Sequence, residues 1–127
     1  MDKAQWDKVE QRLRMQYCPV QLKVDGYELY LILLPDKGLK QSIAVYVNGS
    51  IKGEWISNDC EIRRRFYDRR TKSMLRAADL KKLSKARKKA LKEKYTYEYF
   101  SPFWTSFNRM KNHFIKNNSD IELITKL

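Results

Sequence analysis

Cysteine, histidine, glycine and proline are scarce in this chain of 127 residues, which holds 2 Cys, 3 Pro, 4 Gly and 1 His. Cys18 and Cys60 are too few for a disulfide framework and read as reduced thiols of a cytoplasmic protein, packed as small apolar side chains. His113 is the only imidazole, and no His/Cys/Asp/Glu grouping has the spacing of a zinc site, so neither a metal nor a cofactor is expected. A pairing of His113 with Cys18 or Cys60 is formally open. Only the Arg-rich stretch after Cys60 favours an activated thiolate there. The glycines form neither GxGxxG nor a Walker-type phosphate loop. The longest apolar run, around Tyr30–Leu34, is about six residues, where a membrane-spanning helix needs about 20. The opening MDKAQWDKVEQRLR lacks the apolar core of a secretory signal, so none is expected. No repeat or Gly/Ser linker interrupts the chain, so residues 1–127 read as one domain.

What the chain has is positive charge and enough apolar surface to fold. It carries 27 Lys and Arg against 15 Asp and Glu, a net +12, with 43% hydrophobic and 13% aromatic residues. That apolar content is too high for a disordered basic tail. A compact domain with this charge repels itself and favours polyanionic or acidic partners.

The pattern predicts an α+β fold. Trp6, Val9, Leu13 and Tyr17, three and four apart, predict an amphipathic helix over residues 2–17, which Pro19 stops. Val20, Leu22 and Val24 alternate with polar residues as a strand. Asp25-Gly26 then suits a type I′ turn, and Tyr27–Leu34, apolar on both faces, reads as a central strand. Pro35 to Gly38 is a turn. Ile43, Val45 and Val47 make a third strand, Asn48-Gly49 a second hairpin turn, and Ile51, Gly53 and Trp55 a fourth strand. The expected core is thus a four-stranded antiparallel meander, with the N-terminal helix and two to three C-terminal helices packed on it. Asn58 and Glu61 have the spacing of a capping box for a short helix carrying Ile62 and Phe66. Residues 74–94 hold no Gly or Pro and predict a second helix. Ser101-Pro102 predicts the start of a third, with Phe103, Phe107, Met110 and Phe114 on one face, ending at Asn117-Asn118. Ile121 and Leu123 can add a short fifth strand.

The charge is concentrated. Residues 61–94, read as one strongly basic helical segment, hold 15 Lys and Arg and 4 Asp and Glu, which leaves the rest of the chain close to neutral. At 100° per residue, Lys81, Lys82, Lys85, Lys88, Lys89 and Lys92 fall within an arc of about 120°. Leu80, Leu83, Ala90 and Leu91 fall roughly opposite, around a stripe interrupted by Arg87, so that side can dock on the sheet. Upstream, Arg63, Arg64, Arg65, Arg69 and Arg70 surround Phe66 and Tyr67. Arginine suits bidentate contact with phosphate or carboxylate, and lysine acts as a mobile point charge. Such a ridge can follow a phosphate backbone with counterion release. It can also face an acidic protein, or only water. The segment has few of the interleaved glutamates that neutralise a solvated helix face through i,i+4 pairs.

Aromatic residues follow directly. Six of the ten residues from Tyr95 to Trp104 are aromatic, and Tyr95, Tyr97 and Tyr99 alternate with Thr96 and Glu98 as in an extended strand. Tyr95 and Tyr97 beside cations suit stacking on unpaired bases or an interface hot spot. Phe103, Phe107 and Phe114 at helical spacing read as core.

The order helix, meander, basic helix resembles a double-stranded-RNA-binding domain, and SKARKKALKEK is similar to that family's lysine-rich second helix. An extra strand and helix intervene before Lys81 and two elements follow, so no family residue carries over. VYVNGSIKGEWI, EIRRRFYDRR and SPFWTSFNRMKNHFIKNNSDIELI, across about residues 45–124, resemble small accessory proteins of bacteriophages and prophages. That resemblance implies a bacterial host cytoplasm and either the handling of nucleic acid or, as for anti-CRISPR proteins, inhibition of a host defence complex. Residues and resemblance together lead to the expectation of a non-catalytic protein that binds DNA, RNA or a nucleoprotein. The contacts are expected at Arg63, Arg64, Arg65, Arg69, Arg70, Lys81, Lys82, Lys85, Lys88, Lys89, Lys92, Tyr95 and Tyr97. The alternative is a phage-encoded inhibitor docking on an acidic host protein, without membrane contact in either case.

Overall fold

A computed structural model describes residues 1–73, 81 and 83–127. In chain order these form α1 (Lys3–Leu13), β1 (Val20–Val24), β2 (Tyr27–Pro35), β3 (Gln41–Val47), α2 (Gly53–Ser57), α3 (Glu61–Phe66) and β4 (Asp68–Ser73). Then follow α4 (Lys85–Tyr95), β5 (Thr96–Ser101), β6 (Phe103–Trp104), α5 (Phe107–Asn117) and β7 (Ile121–Leu123). The architecture is α+β, with a five-stranded antiparallel sheet in the order β6-β3-β2-β1-β7 and a two-stranded sheet of β4 and β5. The sequence reads as one domain, whereas the contacts group into two compact units, residues 1–68 with 101–127 and residues 69–100.

In the larger unit, Asp2 caps α1 through a reciprocal pair: its carboxylate accepts from the Gln5 N–H at 2.8 Å, and Gln5 Oε1 accepts from the Asp2 N–H at 3.2 Å. Trp6, Val9 and Leu13 are buried as expected, but the helix ends four residues short of Tyr17. Tyr17 has left the helical region at φ +62, and its N–H donates to the Leu33 carbonyl at 3.1 Å. Tyr17 is 63% exposed. Pairing with the end of β2 outweighs continuing the stripe.

The β1–β2–β3 meander forms as expected. Asp25 (φ +46) and Gly26 (φ +89) make the tight turn that pairs Val24 with Tyr27. Leu22, Leu29 and Val47 line up across the sheet, as do Val20, Leu31 and Val45, on the buried face. Strand β2 is central, as expected, but its second face is only half covered. Tyr30, Ile32 and Leu34 of β2 and Tyr46 of β3 border an open concavity of about 450 Å³, with Tyr30 41% exposed.

The fourth meander strand is absent and the expectation is corrected. Asn48 (φ +52) and Gly49 (φ +82) do turn the chain and Val47 bridges Ser50, but the next residues coil into α2. Ile51 and Trp55 are four apart, a spacing that serves a helix as well as a strand, and Gly53 weakens the strand alternative. The place beside β3 is taken by β6, which pairs Trp104 with Ile43 and Phe103 with Ala44. The fifth strand forms as β7 beside β1.

The capping box at Asn58 is also corrected. Asn58 closes α2, and Cys60 occupies the cap of α3 without a side-chain hydrogen bond. Ser101-Pro102 does not start a helix. The Ser101 hydroxyl accepts from the Phe103 N–H at 3.1 Å, turning the chain from β5 into β6, and Ser106 caps α5 instead. Phe103 therefore lies on a strand and is partly exposed, while Met110 and Phe114 are buried on α5. Helices α3 and α5 pack together through the edge-to-face rings of Phe66 and Phe114, with Trp104 against Phe114. The Trp104 Nε1–H donates to the Phe66 carbonyl at 2.9 Å, so its buried polar atom is satisfied. Burial of each such ring is worth about 1.5–3 kcal/mol. Cys18 and Cys60 are both free thiols, half-buried.

The segment 61–94 is not helical throughout. Strand β4 lies within it, paired with β5, whose alternating tyrosines were the visible half of that ribbon. The helix expected over residues 74–94 begins, in its described part, at Lys85, because Ser84 is extended and its hydroxyl accepts from the Arg87 N–H. Residues 74–80 and Lys82 lie outside the described residues.

Candidate nucleic-acid interface

The two units hold different arginines. Arg63, Arg64 and Arg65 sit on α3 in the larger unit, and Arg69 and Arg70 sit on β4 in the smaller one. Arg63 is half-buried. Arg64 lies 3.3 Å from the Asp59 carboxylate and donates from Nε to the Cys60 carbonyl at 3.3 Å. Arg65 is the most engaged. Its guanidinium lies 2.7 Å from Asp25 and 2.6 Å from Glu61, donates to Asn118 Oδ1 at 3.0 Å, and is 5.6 Å from the Tyr27 ring. Partial burial disfavours its charge, but the hydrogen bonds to Glu61 and Asp25 prevail and raise its pKa. Asp25 in turn accepts from the Ser119 N–H at 2.9 Å and the Asp120 N–H at 2.8 Å. These two N–H groups, with Arg65 behind them, hold its carboxyl below the usual range against the opposing effect of burial. Arg65 thus ties the β1–β2 turn to α3 and to the end of α5, a structural duty that leaves little of it for a ligand.

In the smaller unit Arg69 pairs with Glu98 across the β4–β5 ribbon, and that hydrogen bond and charge raise the Arg69 pKa. Arg70 is half-buried. On α4, Lys85, Lys89 and Lys92 are exposed and Lys88 is half-buried. Lys81 is exposed in a turn outside the helix, and Lys82 lies outside the described residues. The six-lysine ridge is therefore four lysines on a helix plus Lys81 on another backbone geometry. On the side opposite them α4 buries no residue: Leu83 and Leu91 are half-buried, Ala90 is exposed, and Leu80 lies outside the described residues. Among the described residues, none of Lys85, Lys88, Lys89 and Lys92 is paired with a carboxylate. The helix KARKKALKEKY carries six cations and one acid, with Lys85, Arg87 and Lys88 at its positive dipole end. Each like-charge pair at i,i+3 or i,i+4 costs a few tenths of a kcal/mol. A polyanion across this helix relieves both penalties.

Tyr95 is 38% exposed beside Lys94, whose ammonium lies 5.6 Å from the ring, and Tyr97 is 44% exposed on β5. Tyr97 and Tyr99 share one side of the strand with ring centroids 6.2 Å apart. Arg87 and Lys94, left out of the lysine ridge, are exposed on the opposite side of the same helix. Their signal was the charge itself, which the helical arc divided too finely.

Charge and fold coincide. Residues 69–100 hold 12 Lys and Arg and 3 Asp and Glu, so this compact unit carries most of the net +12. Residues 61–68 of the basic segment belong to the larger unit, where α3 packs on α5. Among the described residues no three His, Cys, Asp or Glu side chains converge as metal ligands, and no helix is long and apolar enough to cross a membrane. Comparison with protein-family models, curated proteins and solved structures finds no match to this chain.

Proposed function

We propose that this chain is a non-catalytic protein of phage type that binds nucleic acid or a nucleoprotein in a bacterial cytoplasm, with residues 69–100 as its contact surface. One observation carries the reading: α4 presents lysines that bury nothing and pair with no described carboxylate. Folding alone gives no reason for a helix so charged, and phosphate supplies one through counterion release. Lys81, Lys85, Lys88, Lys89 and Lys92 are the phosphate contacts in this reading, with Arg69 and Arg70 at the ribbon. Arg63, Arg64 and Arg65 serve chiefly the larger unit.

A second reading has its own support. Exposed tyrosines beside cations also suit a protein hot spot, as expected of an anti-CRISPR-type inhibitor docking on an acidic host surface. Binding of the protein to a random duplex and a random single strand across a salt series separates the two. Nucleic-acid binding predicts log affinity falling linearly with log salt. No binding to either strand form at low salt removes it. A bacterial protein retained after nuclease treatment then favours the inhibitor.

A further inference from the structure

The β4–β5 ribbon adds a feature that the charge does not explain. Along β5 the side chains alternate, so Tyr97 and Tyr99 share one face while Glu98 lies on the other, where Arg69 neutralises it. Tyr97, 44% exposed, is packed on one side by Tyr99 with the ring planes inclined at 47°. This is an aromatic surface held in orientation by a neighbour and left open to solvent. In the same sequence stretch Tyr95 ends α4 with 38% of its surface exposed, and its ring is within reach of the Lys94 ammonium. A ring kept in water at such a position costs apolar exposure. It gains a partner only if something planar or apolar covers it.

The charge of this unit decides which partner. Residues 69–100 hold 12 basic and 3 acidic side chains, and one of the acids, Glu98, is already paired on the opposite face of the ribbon. The occupant must therefore be polyanionic and must also offer planar faces. A duplex offers the first without the second, because its bases are stacked on one another. An unpaired strand offers both.

Resting on the nucleic-acid reading above, we propose that the ligand of this unit is single-stranded nucleic acid, with unpaired bases stacking on Tyr97 and Tyr95 while the lysines of α4 hold its phosphates. Stacking uses the π-face that every base has, so the preference is for strand state and not for sequence. Tyr99 acts as the support for Tyr97.

The test compares an oligonucleotide single strand with the duplex of the same sequence and length, using the full chain and its Tyr97→Ala, Tyr95→Ala and Tyr97→Phe variants. The wild type is expected to bind the single strand more tightly at matched salt. Each alanine variant should lose about 5- to 150-fold in single-strand affinity, the range for one stacked base, with the salt slope unchanged. Tyr97→Phe should retain affinity, since it keeps the ring. Circular dichroism melting of each variant confirms that the loss is not unfolding, and Tyr95→Ala, on the helix and not the strand, reads the site independently if Tyr97→Ala is damaged. Duplex binding as tight as single-strand binding, or alanine variants with unchanged affinity, overturns the stacking proposal while salt-dependent binding stands. Absence of binding to either strand form removes this proposal together with the reading beneath it.

Discussion

The guanidinium of Arg65 lies 2.7 Å from the carboxylate of Asp25, forty residues earlier in the chain, and so joins a hairpin turn to the helix that opens the basic segment. Asp25 also accepts the N–H groups of Ser119 and Asp120, so one carboxylate gathers three separate parts of the larger unit.

This arrangement makes a prediction about acid stability. The folded carboxyl of Asp25 titrates below its unfolded value of about 3.9, so its contribution is present above that pH and is lost as pH falls through the lower folded value. Asn at this position tolerates the positive φ. Urea unfolding of Asp25→Asn should therefore show lower stability than wild type at pH 7 and a smaller difference at pH 3. A difference that stays constant between the two pH values contradicts the assignment.

Tyr67 offers the opposite case. Its side chain is fully buried, its hydroxyl has no hydrogen-bond partner among the described residues, and burial, with a smaller effect from the Cys60 charge, pushes its pKa up to about 12. An unsatisfied buried hydroxyl costs stability, so Tyr67→Phe should be stabilising by about 1 kcal/mol in chemical denaturation. A loss of that size would show that the hydroxyl has a partner.

His113 is unique in the chain and therefore resolved in a proton NMR titration. Burial lowers its pKa, with Lys116 and Arg109 acting the same way, against the Arg64 carbonyl and Asp68. Its Nε2–H donates to that carbonyl at 2.9 Å. The midpoint should lie below 6.5, so its contribution to stability is complete above the unfolded value and declines as pH falls through the folded one. A midpoint above 6.5 would contradict this burial.

Phe114 has no exposed surface and touches both Phe66 and Trp104. Phe114→Ala should cost about 3–5 kcal/mol in urea unfolding. A cost under 1 kcal/mol would mean that the α3–α5 packing is not where the larger unit is held.

What was legible in the sequence was local. The Asp25-Gly26 turn, the alternation of Val20, Leu22 and Val24, and the helical spacing of Met110 and Phe114 each depend on neighbours a few residues away, and each appears as expected. The errors share a cause. Whether Ile51–Trp55 becomes a strand depends on whether β6, some fifty residues later, claims the edge of β3. Whether Arg69–Ser73 is helix or strand depends on β5. Of the arginines' partners, Asp25 and Glu98 lie far off along the chain, while Glu61 is four residues from Arg65. Lys85, Lys88, Lys89 and Lys92 do lie on a helix, as expected, since helix propensity is local. Lys81 was the exception, because a single serine cap removed it from the helix.

The measurement that bears most directly on the account is the salt dependence of nucleic-acid binding by the variant carrying Lys85→Gln, Lys88→Gln, Lys89→Gln and Lys92→Gln. None of the four is buried, so thermal unfolding should be unchanged or slightly improved by the relief of repulsion. The wild type should lose affinity steeply with salt, and the variant's slope of log affinity against log salt should be shallower by about 3, as four lost phosphate contacts require. A variant that binds as tightly as wild type with the same slope would contradict the claim that α4 is the phosphate-binding surface.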